Sequence, residues 1–96
     1  MKQRYVVSYT GKHYINVDKI VSIEIDKDNN DLLLEDSNEN VYTLFSGCDD
    51  QLNYVLDRMI KWLCDPSTSS KHLFYIYDVH KSYMDSIAES ERHEEQ

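Results

Sequence analysis

The sequence is poor in the residues that build phosphate-binding loops, with only two glycines and one proline in 96 residues. A loop that cradles phosphate groups needs several glycines within a few positions, and no such run is present. The chain also lacks a GxSxG motif and a lysine-containing nucleotide-binding motif. We therefore predict a protein that is not an enzyme, has no catalytic residues and binds no cofactor.

Long apolar runs are also missing, and cysteine is scarce. No run approaches the roughly 20 residues that a membrane-spanning helix needs, and the N-terminus lacks the apolar core of a signal peptide. Cys48 and Cys64 would lie about 24 Å apart at the two ends of one helix, too far for a disulfide. Unpaired thiols are typical of a reducing compartment, so we predict a cytoplasmic protein without membrane partners.

Metal-binding motifs are absent from the sequence. The chain has four histidines, but no CxxC, HxxxH or HExxH spacing is present, and we predict no metal site. The segment from Asp26 to Asn30 begins like a calcium-binding loop, with oxygen-bearing residues at alternate positions. The sixth position should then be glycine and is Asp31, and the twelfth should be glutamate and is Ser37. This segment is therefore expected to form a solvated hairpin turn.

The strongest helical pattern lies at residues 49–64. At helical spacing, one apolar stripe forms from Leu52, Val55, Leu56, Met59 and Leu63. Ile60 and Trp62 lie on the two sides of this stripe. Tyr54 falls off this face and is expected to be exposed. Pro66 ends the helix, and a loop follows at residues 66–70.

The rest of the pattern predicts an α+β fold in a single domain, residues 1–96. Short β-branched and aromatic runs alternate with polar turns in residues 1–46, which is typical of an antiparallel meander of four or five strands. Two helices would pack on this sheet. The second is predicted at residues 70–91, capped by Ser69 or Ser70, because no glycine or proline separates LFYIYDV from the following helical stripe. The alternative is a strand followed by a helix, and residues 92–96 are predicted to be a frayed tail.

Acidic charge is concentrated in one part of the chain. The sequence has 18 acidic and 10 basic residues, for a net charge of −8. Residues 24–50 contain nine acidic residues and one basic residue, Lys27, so this segment carries the whole net charge. A concentrated negative field attracts basic partners and repels nucleic acid.

This charge pattern suggests the function. We predict a binding module whose acidic surface engages a basic protein, such as a nucleic-acid-binding enzyme, with carboxylates that mimic phosphates. The short, acidic chain without catalytic motifs resembles phage inhibitors of bacterial defence nucleases. The alternatives are a structural or adaptor subunit that assembles through apolar helix faces, including a homodimer, and a small-molecule sensor. The predicted partner-binding residues are Asp26, Asp28, Asp31, Glu35, Asp36, Glu39, Asp49, Asp50, Tyr54 and Tyr75, of which Tyr75 is expected to be exposed like Tyr54.

Overall fold

The computed structural model describes the backbone of residues 3–64 and 72–94, and the side chains of residues 3–64 and 72–88. Six strands and two α-helices form within these ranges, which confirms the α+β class. In chain order they are β1 (Tyr5–Val7), β2 (Tyr14–Asn16), β3 (Ile20–Asp26), β4 (Asp31–Asp36), β5 (Val41–Ser46), α1 (Asp49–Cys64), β6 (Leu73–Tyr75) and α2 (Ile76–Glu94).

The strands form two three-stranded sheets, and this corrects the predicted single meander. The meander sheet has the order β3-β4-β5, with antiparallel pairs throughout. The N-terminal sheet has the order β2-β1-β6, in which β1 pairs antiparallel with β2 and parallel with β6. The two sheets separate at a 3₁₀ turn, Val17–Lys19, where the Asn16 side chain accepts a hydrogen bond from the Asp18 N–H group. This turn redirects the chain between β2 and β3.

The segment after residue 71 forms a strand and then a helix, so the favoured prediction of one helix over residues 70–91 is wrong and the alternative, a strand followed by a helix, is confirmed. The parallel pairing of β6 with β1 is reinforced by a hydrogen bond from the Tyr5 N–H group to the His72 carbonyl oxygen at 2.8 Å. At its other end, α2 continues to Glu94 and so includes most of the predicted tail. The predicted loop at residues 66–70 and the caps at Ser69 and Ser70 lie outside the described residues.

The core joins α1 to both sheets. The buried face of α1 consists of Leu52, Val55, Met59 and Trp62, whereas Ile60, on the other shoulder of the predicted stripe, is 46% exposed. The helix is therefore rotated towards its tryptophan. The cluster that this face completes contains Leu32, Leu34, Leu44 and Phe45 from the meander sheet, and Val6, Ile15, Phe74 and Ile76 from the N-terminal sheet and the start of α2.

A capping arrangement fixes where α1 begins. The Cys48 N–H group donates a hydrogen bond to Gln51 Oε1 at 3.1 Å, and the Cys48 carbonyl oxygen accepts from the Leu52 N–H group. Gly47 precedes this cap, and a Cβ atom there would lie 2.5 Å from Gln51 Oε1. A larger residue at position 47 would therefore displace the Gln51 side chain from its capping position and crowd the Phe45 ring. Neither helix, over its described residues, combines the length and apolarity that crossing a membrane requires.

Candidate functional site

The side of the meander sheet that faces away from α1 carries acidic side chains on two adjacent strands. On β4, Leu32 and Leu34 are fully buried, so the residues that alternate with them lie on the outward side. The register places Glu24 opposite Leu33, and Asp26 opposite Asp31. Glu35 lies opposite Ser22 and Val41. We call the outward surface formed by Glu24, Asp26, Asp31 and Glu35 the acidic face.

Apolar side chains lie among these carboxylates. Leu33 is half-buried at the centre of the acidic face. Val21 and Val41 are 63% and 60% exposed on the flanking strands. Val21 occupies a β-bulge, since the β3–β4 register shifts between Ile20 and Ser22. The acidic face therefore combines negative charge with a small contact area that an apolar group could cover.

The turn between β3 and β4 is held by Asp26. Its carboxylate accepts hydrogen bonds from the Asp28 N–H group at 3.0 Å and from the Asn29 side-chain amide at 2.8 Å. The Asn29 amide, together with backbone N–H groups, lowers the pKa of Asp26 although desolvation opposes the shift. Asn30 adopts the left-handed conformation that closes the turn (φ 56°). The Asp28 side chain is exposed at the tip of this hairpin.

The start of α1 lies beside this turn. The Gly47 N–H group donates to the Asn30 carbonyl oxygen at 3.1 Å, and the Ser46 hydroxyl donates to Asp31. Asp49 and Asp50, both exposed in the first helical turn, therefore follow within three residues of the hairpin. The structure thus brings together five predicted site residues, namely Asp26, Asp28, Asp31, Asp49 and Asp50.

Asp36 does not belong to this surface. The residue is only 7% exposed, and its carboxylate accepts from the N–H groups of Asn38 and Asn40 and from the Tyr42 hydroxyl. Burial acts to raise the pKa of Asp36, but the combined hydrogen bonds hold it below its usual value. Burial, and then the bond to Asp36, raise the pKa of Tyr42. The prediction that Asp36 contacts a partner is corrected, because its oxygens hold the β4–β5 turn.

Glu35 and Glu39 lie towards the opposite end of the meander sheet from the β3–β4 turn. Glu35 is half-buried on the outward side, next to the β4–β5 turn. Glu39 is exposed within that turn and has a left-handed conformation (φ 66°), which is uncommon for a glutamate. These two residues extend the negative surface along the sheet rather than joining the cluster at the start of α1.

The two predicted tyrosines lie on the helical side of the molecule. Tyr54 is half-buried, not exposed, because its ring packs against Tyr83 of α2 with centroids 4.7 Å apart. The Arg58 guanidinium lies 5.4 Å from the centroid of the same ring. Tyr75 is 40% exposed at the end of β6, as expected, but it is separated from the acidic face by the core.

The acidic face lacks internal charge neutralisation. Across residues 3–64 and 72–88, one ion pair forms, between Lys61 Nζ and Asp57 Oδ2 at 3.1 Å on α1. The carboxylates of the acidic face therefore keep their full negative field. In the same part of the chain, no three His, Cys, Asp or Glu side chains are grouped in a way that could hold a metal ion.

Sequence reasoning missed several residues of this surface. Glu24 belongs to the acidic segment of residues 24–50 but is not among the predicted partner-binding residues. Val21, Leu33 and Val41 are not among them either. The signal for Glu24 was present, because it alternates with Ile23 and Ile25 and so shares a side with Asp26. The sequence contains no such signal for Val21, because its side chain faces outward only as a result of the β-bulge.

The chain was compared with protein-family models, with curated proteins and with solved structures. No family model matches it, and neither a curated protein nor a solved structure does.

Proposed function

We propose that this protein is a non-enzymatic binding module that acts in the cytoplasm and engages a basic protein through its acidic face. In its most concrete form, it inhibits a nucleic-acid-binding enzyme, as a phage-type inhibitor of a defence nuclease would. The observation that carries this proposal is the convergence of Glu24, Asp26, Asp31 and Glu35 on one side of the meander sheet. The start of α1 supplies two further carboxylates beside them.

The arrangement of the acidic residues on two strands supports phosphate mimicry. Glu24 and Asp26 are two residues apart on β3, which corresponds to about 7 Å along the sheet. On β4, Asp31 lies directly opposite Asp26, and Glu35 lies four residues further along, opposite Ser22. A hairpin holds these charges in a fixed array, so a groove that binds a phosphate backbone could accept them with little loss of side-chain entropy. The exposed apolar groups at Val21, Leu33 and Val41 would add contact area beyond the charges.

The alternative, assembly through apolar helix faces, has less support. Leu52, Val55 and Met59 are fully buried within the chain itself, so the main stripe of α1 is already covered. An assembly would have to use the exposed Ile60, Tyr77 and Met84.

The experiment that tests the proposal compares two variants with equal net charge. The face variant carries Glu24→Gln, Asp28→Asn and Glu35→Gln, and the control variant carries Asp18→Asn, Asp57→Asn and Asp85→Asn. Each variant and the wild type are immobilised and exposed to a host lysate, and captured nucleic-acid-binding proteins are identified and then titrated at about 0.1 and 1 M salt. Duplex DNA is added as a competitor.

We expect the wild type and the control to capture the same basic protein, and DNA to displace it. The face variant should bind it about 3- to 150-fold more weakly, since it removes three charges and each exposed charge pair contributes roughly 0.2–1 kcal/mol. Binding should weaken at high salt, where the Debye length falls from about 10 to 3 Å. Equal binding by the face and control variants would show that only net charge matters and would refute a located site. Salt-resistant self-association would instead favour assembly through the helices.

A further inference from the structure

A groove separate from the acidic face runs between the end of α1 and the β6–α2 corner. Its main part has a volume of about 530 Å³, within the range of small-molecule sites. The lining is mostly apolar and consists of Trp62, His72, Leu73, Phe74, Tyr75, Asp78 and Val79. Phe74, Asp78 and Val79 also line a further part of about 360 Å³, which continues along α1 past Arg58 and Tyr54.

Two polar atoms of this lining have no partner. Among the described residues, Trp62 Nε1 and His72 Nδ1 are the buried side-chain nitrogen or oxygen atoms that lack a hydrogen bond. Trp62 is only 6% exposed, so its N–H group is also shielded from bulk water. Buried polar groups are nearly always hydrogen-bonded in folded proteins, and an orphaned donor is unfavourable. Both exceptions border the same groove.

The Trp62 ring has no freedom to turn towards another acceptor. The Arg4 guanidinium lies 4.8 Å from its centroid, and the Phe74 ring lies 5.4 Å away. Arg4 is itself fixed, because it donates to the carbonyl oxygens of Trp62 and Leu63 at 3.1 and 3.2 Å and so caps the end of α1. These contacts restrict the indole ring, whose shielded N–H group belongs to a residue that lines the groove.

We propose that this groove binds a small apolar molecule that carries one hydrogen-bond-accepting oxygen, a carbonyl or a carboxylate. Indole Nε1 can only donate, so the occupant must supply an acceptor to Trp62. The apolar body of the molecule packs against Phe74 and Val79. His72, which is half-buried, turns to admit the oxygen and bonds to it. Arg58, at the far part of the groove, attracts an anionic oxygen and opposes the repulsion from Asp78, which lines both parts.

The test uses the single tryptophan as a reporter. Because the chain contains one tryptophan, its indole N–H group gives one NMR resonance that belongs to Trp62. The ¹⁵N-labelled protein is titrated with acetophenone, with benzoate and with toluene, which has the ring but no acceptor. We expect a saturable shift of the indole resonance with acetophenone or benzoate, with a dissociation constant of about 0.1–5 mM for molecules of this size. Toluene should lack the downfield shift of the indole proton that a hydrogen bond to an acceptor produces.

Two variants locate the site. Trp62→Phe keeps an aromatic side chain, although a smaller one, and removes the donor, so binding of the oxygen-bearing probe, followed through the amide of Val79, should weaken at least about tenfold. Its affinity for toluene should fall much less. Val79→Phe keeps the donor and fills the groove, so it should abolish binding even if the first variant folds poorly. Asp85→Phe is the control. It also introduces phenylalanine into α2, but at an exposed position outside the groove lining, and it should bind the probes as the wild type does.

The results of the titrations either support or overturn the proposed site. A response to acetophenone alone assigns a neutral carbonyl compound, and a response to benzoate alone, weakened by Arg58→Gln, assigns a carboxylate; either supports the site. The proposal is overturned if no probe gives a saturable shift up to about 20 mM. It is also overturned if Trp62→Phe and Val79→Phe bind the probes as tightly as the wild type.

Discussion

At the scale of single residues, Asp36 shows that a carboxylate can have a structural role in a chain that is rich in acidic residues. Its oxygens accept hydrogen bonds from two backbone N–H groups, the Asn40 side chain and the Tyr42 hydroxyl. Only the ionised form can accept all of these bonds. The stability of the β4–β5 turn should therefore depend on the charge of Asp36.

The pH dependence of stability gives the first prediction. Because the pKa of Asp36 is lowered in the folded chain, its contribution is fully present above the unfolded pKa, near 3.9, and is lost as the pH falls through the folded pKa. Asp36→Asn should lower stability at pH 7 and flatten the loss of stability at acidic pH. Urea unfolding of both proteins between pH 2 and pH 7 measures this, with Asp28→Asn as the control. A parallel displacement of the two pH profiles would contradict it.

Part of the site could have been assigned correctly from the sequence. On β4, Asp36 lies two residues after Leu34 and four after Leu32, so alternation alone places it on the buried side, whereas Asp31 and Glu35 alternate with these leucines. The burial of Tyr54 could not have been predicted in this way. This residue lies off the apolar stripe of α1, and only the approach of Tyr83 from the second helix explains its burial. A contact between two helices leaves no signal in either one alone.

At the scale of elements, β4 offers a matched pair of leucines on opposite sides of one strand. Leu34→Ala should reduce the free energy of unfolding by about 2–5 kcal/mol, because it leaves a cavity in the core. Leu33→Ala should cost about 1 kcal/mol or less, since that side chain is half-exposed on the acidic face. Chemical denaturation measures both. Equal losses would show that the outward side is covered in solution, and the assignment of the acidic face would fail.

The β4–β5 turn contains a strained position. Glu39 adopts a positive φ that asparagine tolerates better. We expect Glu39→Asn to raise the free energy of unfolding by about 0.5–1 kcal/mol, as measured by urea denaturation. Glu39→Gln removes the same charge without relieving the backbone and is the control. If both variants are stabilised equally, charge rather than conformation is responsible.

The elements differed in how far the sequence could predict them. The apolar stripe of α1 and the polar turns between β3, β4 and β5 are local signals, and they located these elements correctly. The segment LFYIYDV has no glycine or proline to separate strand from helix. Its strand forms because β1 offers an unpaired edge to Leu73–Tyr75. The division into two sheets likewise depends on a partner that is distant in sequence, so local patterns could not reveal it.

At the scale of the whole molecule, the net charge of −8 is distributed unevenly. The acidic face and the start of α1 hold most of it, and they carry no ion pair among the described residues. Mutual repulsion between these carboxylates opposes folding, and salt weakens such repulsion between exposed groups. The charge that we propose for binding therefore reduces stability.

Raising sodium chloride from about 0.01 to 0.2 M should increase the melting temperature by roughly 2–6 °C. The face variant removes two charges of the acidic face and the charge of Asp28 at the adjacent hairpin tip, so it should melt higher at low salt and respond less. The control variant, with the same net charge, should keep more of the salt response. Calorimetry at the two salt concentrations measures this, and identical responses in the two variants would show that the charges act only through their total.

The position of β1 between β2 and β6 has a consequence for synthesis of the chain on the ribosome. Tyr5 pairs with Leu73, so β1 receives its second neighbour only after the following 66 or more residues, up to Leu73, have been translated. The meander sheet needs only contacts between consecutive strands and can close earlier. Until β6 arrives, Val6 and Val7 remain available to chaperones or to other nascent chains. The speed of translation between β1 and β6 should therefore influence how much protein reaches the native state.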